Sequence, residues 1–256
     1  MLVLTRSLLA LLLLLLPWSA AQAADQSLTR AEVTTVKHKL VAVIEALGAP
    51  PAGYLKANEN FSLPTRISTM ESGSFYAVQA AAALRFDGGA DIQAQRSEKE
   101  IEAEYRRKML EAQASGDYQV LATLTQEMMQ KAGQAQLAAE DARREPISVS
   151  IQFNAATSAT IDPDGVVFER PGVIALKNHQ GSRDDMLRVR IFCDPLHLGQ
   201  TETLSEIRLY DDPDPGVKGT TTLRNLVIEF SGPAEVVEGW ARQVDIAKAV
   251  AQIGGE

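Results

Sequence analysis

The chain has 256 residues, 45% of them hydrophobic but only 5% aromatic, with a net charge of −8. That length and apolar share allow one large domain or two small ones with a sizeable core. The acidic balance argues against nucleic acid as a partner, since such binding rests on lysine and arginine neutralising phosphates, and the single cysteine, Cys193, rules out an internal disulfide.

The N-terminal segment has the layout of a secretory signal peptide. Arg6 precedes the apolar run Leu8 to Leu16, and Pro17-Trp18 leads into small residues ending in Ala21-Gln22-Ala23. Cleavage is expected near Ala23, which removes one base and no acid and takes the net charge from −8 to −9. The apolar run is too short to span a bilayer, and no later segment approaches about 20 apolar residues. A periplasmic or secreted mature chain without a transmembrane segment is expected. The lack of disulfides favours a bacterial periplasm.

Residues 24–92 read as the first part of a folded body. Val33, Val36, Leu40, Ile44 and Leu47 share one face of a helix, which Gly48 and Pro50-Pro51 end. Ala52 to Gly73 has no steady period and reads as an ordered loop or linker. Within it, Tyr54 and Phe61 lie beside polar side chains, either as recognition aromatics or as anchors to the core. Phe75 to Phe86 reads as a strand followed by an Asp87-Gly88-Gly89 turn.

Residues 93–145 change character, being rich in alanine, glutamate, glutamine and arginine. Ile101, Tyr105, Met109 and Ala112 form one helical stripe, and Leu121, Leu124, Met128, Ala132, Ala135 and Ala139 form another. Ser115-Gly116-Asp117 breaks them, with Asp117 as a cap for the second arm. The expectation is a coiled-coil-like helical hairpin some 35 to 40 Å long, at about 1.5 Å per residue. Such an arm suits a protrusion or dimerisation surface, with Met109, Met128 and Met129 as partner-binding side chains.

Residues 146–256 complete the body. Ile147, Val149, Ile151 and Phe153 alternate with polar residues as in a half-buried strand. Val166–Phe168, Val173–Leu176, Leu187–Phe192, Leu204–Tyr210 and Leu223–Phe230 are further strands. They are separated by turn-rich stretches at 162–165, 178–185 and 211–219. Val237, Trp240, Val244, Ala247 and Ala251 share the face of a final helix. The fold class expected is α+β: a mainly antiparallel sheet packed by N- and C-terminal amphipathic helices, with an inserted long helical hairpin.

Candidate chemistry is thin. Cys193 and His197 are zinc or copper ligand types near a strand end, and His179 could join them across a hairpin. A closed zinc site needs about four ligands, so a buried core thiol and a loop histidine is the plainer reading. Cys193 sits in strand register with Ile191, which argues against an activated nucleophile. Asp211, Asp212 and Asp214 offer three carboxylates to a hard cation, but aspartate and proline are also ordinary turn residues. The sequence contains no Gly-x-Ser-x-Gly, phosphate loop or His-Glu-x-x-His motif. No catalytic residue and no cofactor is assigned. The function expected is non-enzymatic binding or assembly through the hairpin, with a protein partner or self-association. The alternative is an enzyme or a small-molecule or metal-binding protein, with its site on sheet loops near His179 and His197.

Overall fold

Thr29-Arg30-Ala31-Glu32 is a capping box, and it sets where the first helix begins. The Glu32 amide donates to the Thr29 hydroxyl at 3.3 Å, and the Thr29 amide donates to the Glu32 carboxylate at 2.7 Å. Helix α1 runs Arg30–Ala46 in the computed structural model, which describes residues 25–116, 118–141, 144–180, 183–199, 203–209 and 216–254. The expectations for the signal segment, for Asp117 and for Asp211, Asp212 and Asp214 lie outside those residues. Helix α1 buries Val36, Leu40, Val43 and Ala46, while Val33 and Ile44 lie half-buried at the margin of that face.

The body is built on a seven-stranded sheet, antiparallel throughout. Its strands are β2 (Tyr54–Ser62), β4 (Ala80–Gly88), β5 (Ile147–Phe153), β7 (Val166–Arg170), β8 (Val173–Gln180), β9 (Arg183–Cys193) and β11 (Leu226–Pro233). Their spatial order is β2-β4-β5-β11-β9-β8-β7. Two small ribbons accompany it: β1 (Asp25–Ser27) with β3 (Arg66–Ser68), and β6 (Ser158–Thr160) with β10 (Glu206–Arg208).

Alternation along each strand sorts side chains to two faces. On the inner face Leu84, Phe86, Val149, Ile151, Ile191, Ile228 and Phe230 pack beneath α1 and two C-terminal helices, α4 (Ala234–Gln243) and α5 (Ile246–Val250). On the outer face Ile174, Leu176, Phe192 and Val227 form a second, smaller core under the β6–β10 ribbon. Elsewhere the outer face carries polar, water-facing side chains, with Arg85, Ser148, Gln152 and Arg188 exposed. This is the α+β architecture that periodicity implied.

Four segments depart from the sequence reading. The stretch read as a loop contains β2, an edge strand whose alternation is broken by a bulge between Lys56 and Asn58. Residues 178–180 and 183–185 are strand, because β8 and β9 stay paired as far as Gln180 and Arg183, with His179 opposite Leu187. Phe75 makes only isolated bridges, and β4 starts at Ala80; it passes at Gly88 directly into a helix instead of turning. The final helix is broken at Val244–Asp245. The Asp245 side chain accepts from the Lys248 amide at 3.0 Å, and its own amide donates to the Ala46 carbonyl at 2.8 Å. The break turns Ile246 and Ala249 inward and leaves Ala247 and Ala251 exposed.

Helices α2 (Gly89–Ser115) and α3 (Tyr118–Asp141) form the hairpin inserted between β4 and β5. Gly116, at φ 73°, adopts the left-handed conformation that ends α2, and its amide donates to the Gln113 carbonyl at 3.2 Å. At the base of the hairpin the Tyr54 hydroxyl donates to the Glu145 carbonyl at 3.2 Å, and Arg144 donates to the Ala52 carbonyl at 3.1 Å. Among the described residues, no helix is long and apolar enough to cross a membrane.

Candidate functional site

The turn after β9 is built around one buried carboxylate. Asp194, whose side chain is 2% exposed, accepts from the amides of Leu196 and His197, both at 3.1 Å. Its other oxygen lies 2.9 Å from His197 Nδ1. A carboxylate can only accept, so the imidazole presents its Nδ1–H to Asp194 and the ring is held in one orientation. Gly172 makes this turn possible. Its carbonyl accepts from the Asp194 amide at 2.9 Å, and at φ 76° an added Cβ would sit 2.9 Å from the Pro195 Cα.

Cys193, one residue earlier, points the other way. It is fully buried among the inner-face residues, and burial, with Asp194 as a second cause, pushes its thiol up to about 12. Such a thiol, shut inside the core, is not an activated nucleophile at ordinary pH. His179 does not join it. Register pairs Val173 with Cys193 and His179 with Leu187, six positions along β9, which at about 3.3 Å per residue is roughly 20 Å away. Among the described residues, no three histidine, cysteine, aspartate or glutamate side chains are grouped to hold a metal ion.

Sequence reasoning missed the polar row at this end of the sheet. Asn154, Asn225 and Asp194 are buried, each one position outside the aligned row Phe153–Leu226–Cys193. Asn154 adopts φ 52°, a conformation asparagine tolerates better than most residues. It donates to the Val78 carbonyl at 2.7 Å and accepts from the Arg224 amide at 2.7 Å. Asn225 donates to the Leu209 carbonyl at 2.7 Å. These bonds tie loops to strand ends, which is structural work. The only sequence signal was an asparagine placed immediately after a clean strand.

The two aromatics singled out near the N-terminus both pack against the body. Tyr54 is buried, with the Arg144 guanidinium 5.8 Å from its ring centre. Phe61 is half-buried against the core, with the Lys37 ammonium 5.0 Å from its ring centre.

The hairpin behaves differently. Tyr105 and Ala112 are its buried apolar side chains among the described residues, and neither belongs to either core of the body. Met109, Leu121, Leu124, Met128, Ala132 and Ala135 lie along the seam only half-buried, where their helical spacing put them. Met129 is turned out and 68% exposed, as are Leu110 at 61% and Tyr118 at 79%. Met109, Leu110, Leu121 and Met128, rimmed by Glu102, Arg106 and Gln113, line an open groove of about 480 Å³ on one flank of the pair. Tyr118, Thr125 and Met129 repeat at seven and four residues, so they share one flank of α3. Antiparallel pairing brings that flank to the groove side of the hairpin.

No family model, no curated protein and no solved structure matches the chain.

Proposed function

We propose that this chain is an exported, non-enzymatic binding or assembly protein of the bacterial periplasm that meets its partner through the α2–α3 hairpin. One observation carries the reading. Among the described residues, the hairpin's buried side chains Tyr105 and Ala112 belong to neither core of the body, while Leu110, Tyr118 and Met129 stand in water on the groove side. Ordering a segment of this length costs about 1–2 kcal/mol per residue in backbone entropy. A long arm that contributes no body core and exposes a contiguous apolar flank is what a contact surface requires. The signal-peptide layout of residues 1–23 supplies the compartment.

The test is photocrosslinking in intact cells. A photoreactive residue at Leu110 or Met129 should give a discrete adduct, and one at Arg188, on the exposed outer face of the sheet, should give none. Equal adducts from all three positions, or no adduct from the hairpin, would contradict the proposal.

A second reading, a small-molecule or metal site on the sheet-end loops, rests on Asp194 and His197 without His179. Its support is the buried carboxylate that orients the imidazole. Extra mass on the native mature protein that disappears in His197→Ala is the result it predicts. A mature protein carrying no extra mass would count against it.

A further inference from the structure

A two-helix pair buries one side of each helix, and bundles become self-sufficient when further helices cover the remaining apolar surface. Helix α3 is built as though such a cover exists. Its charged residues are Glu127, Lys131, Glu140 and Asp141, so residues 118–126 carry no charge, whereas α2 is charged along most of its length. Glu127 and Lys131 are both engaged with Tyr105 of α2. The Tyr105 hydroxyl donates to Glu127 at 3.4 Å, and the Lys131 ammonium lies 5.5 Å from the Tyr105 ring centre. Their angular positions put them on the flank away from the groove.

The groove-side flank has its own heptad spacing. Tyr118, Ala122, Thr125 and Met129 recur at intervals of four, three and four, and the half-buried seam residue Ala132 continues that stripe at the edge shared with Leu121, Leu124 and Met128. Thr125 fits an apolar layer because its hydroxyl already donates to the Leu121 carbonyl at 2.9 Å, leaving the methyl to pack. A helix with two adjacent apolar stripes is an interior helix of a bundle, and here one stripe is open.

Resting on the reading of the hairpin as contact surface, we propose that the occupant of this flank is a second copy of the same chain. The two α3 helices would lie antiparallel across a two-fold axis to complete a four-helix bundle. An isologous contact needs a self-complementary surface, and this stripe is one. With the axis between Thr125 and Met129, Met129 of each copy seats over Thr125 of the other, and Ala122 meets Ala132. Large faces small at the centre and small faces small beside it, which lets the helices approach closely. No like charges are brought together on the stripe. The area also suits a dimer. A hairpin face about 36 Å long and about 20 Å wide offers roughly 700 Å², close to the roughly 800 Å² that each partner contributes to a stable interface.

Sedimentation equilibrium of the mature full-length chain tests this. The wild type should sediment at twice the monomer mass. Met129→Glu should raise the dissociation constant about a hundredfold or more, and Gln134→Glu, exposed on the side of α3 opposite Thr125, should leave it unchanged. Helicity by circular dichroism confirms that both variants fold. A Thr125→Cys/Met129→Cys variant should oxidise to a covalent dimer, while Gln134→Cys should not; Cys193 stays silent because it is fully buried. A monomeric wild type, or equal crosslinking from position 134, overturns the dimer. If a monomeric wild type still gives a discrete heterologous adduct from Met129 in cells, the contact-surface reading stands without the dimer. If it gives no adduct, both fall.

Discussion

The Trp240 indole donates to the Leu47 carbonyl at 2.9 Å, joining the C-terminal helix α4 to the end of α1 inside the core. The same ring stacks edge-on against Phe86 of β4 at 4.9 Å and Phe230 of β11 at 5.2 Å. One side chain therefore fastens both terminal helices to the sheet. Trp240→Phe keeps most of the packing but strips a buried carbonyl of its donor. It should cost about 1–3 kcal/mol, read as a lowered urea midpoint without a change in slope. An unchanged midpoint would mean the bond is not made.

Asp194 organises the β9 turn with a carboxylate that faces amides and an imidazole. Asp194→Ala removes the acceptor that holds the Leu196 and His197 amides and the imidazole in place and should destabilise the body by about 1–3 kcal/mol. Asp194→Asn retains one accepting oxygen for the amides and should cost less. If the two variants unfold at the same denaturant concentration, the carboxylate is not what orders the turn.

Cys193 gives a pH signature. Its thiol is pushed up to about 12 in the fold, while an unfolded thiol titrates near 8.5. The folded state therefore holds a proton that the unfolded state releases. The contribution is fully present below about pH 8.5 and is lost as pH rises from there toward 12. Wild-type stability should fall more steeply with alkaline pH than that of Cys193→Ala, and thiol reagents should label the native chain only through unfolding. Parallel stability curves for the two proteins, or rapid native labelling, would refute this.

The β2 edge is defended against pairing. Lys56 and Glu59 stand opposite inner-face residues Phe86 and Leu84 and form an ion pair at 2.5 Å beside the bulge. Inward charges and bulges are how exposed edges avoid joining other strands. The Lys56→Val/Glu59→Val variant should fold with native helicity but scatter light on concentration, as species larger than any dimer. A variant as monodisperse as the wild type would show that the edge needs no such protection.

Elements that are amphipathic by themselves were readable. Ile147 to Phe153 alternates cleanly because β5 lies between β4 and β11 with one face in the core. The hairpin stripes were legible because each arm has one partner, the other arm. The bulged edge strand β2 was not, since water solvates most of its side chains and the bulge shifts its period. Asp245 was hidden inside an apparently continuous apolar spacing, although a capping aspartate was present. The site was legible only in part. Cys193 was correctly placed in the core by its register with Ile191. The distance of His179 from Cys193 depended on a strand register that spacing does not reveal. The exposed flank of α3 was passed over because its small residues look like those of the buried seam.

The most direct measurement replaces residues 94–143 with a short turn joining β4 to β5 and compares the variant with the intact mature chain. Thermal unfolding should remain a single cooperative transition near the wild-type midpoint, because the hairpin's described buried side chains, Tyr105 and Ala112, lie outside the body's cores, and all association should disappear. A body that fails to fold, or one that keeps the partner without the hairpin, would contradict the account.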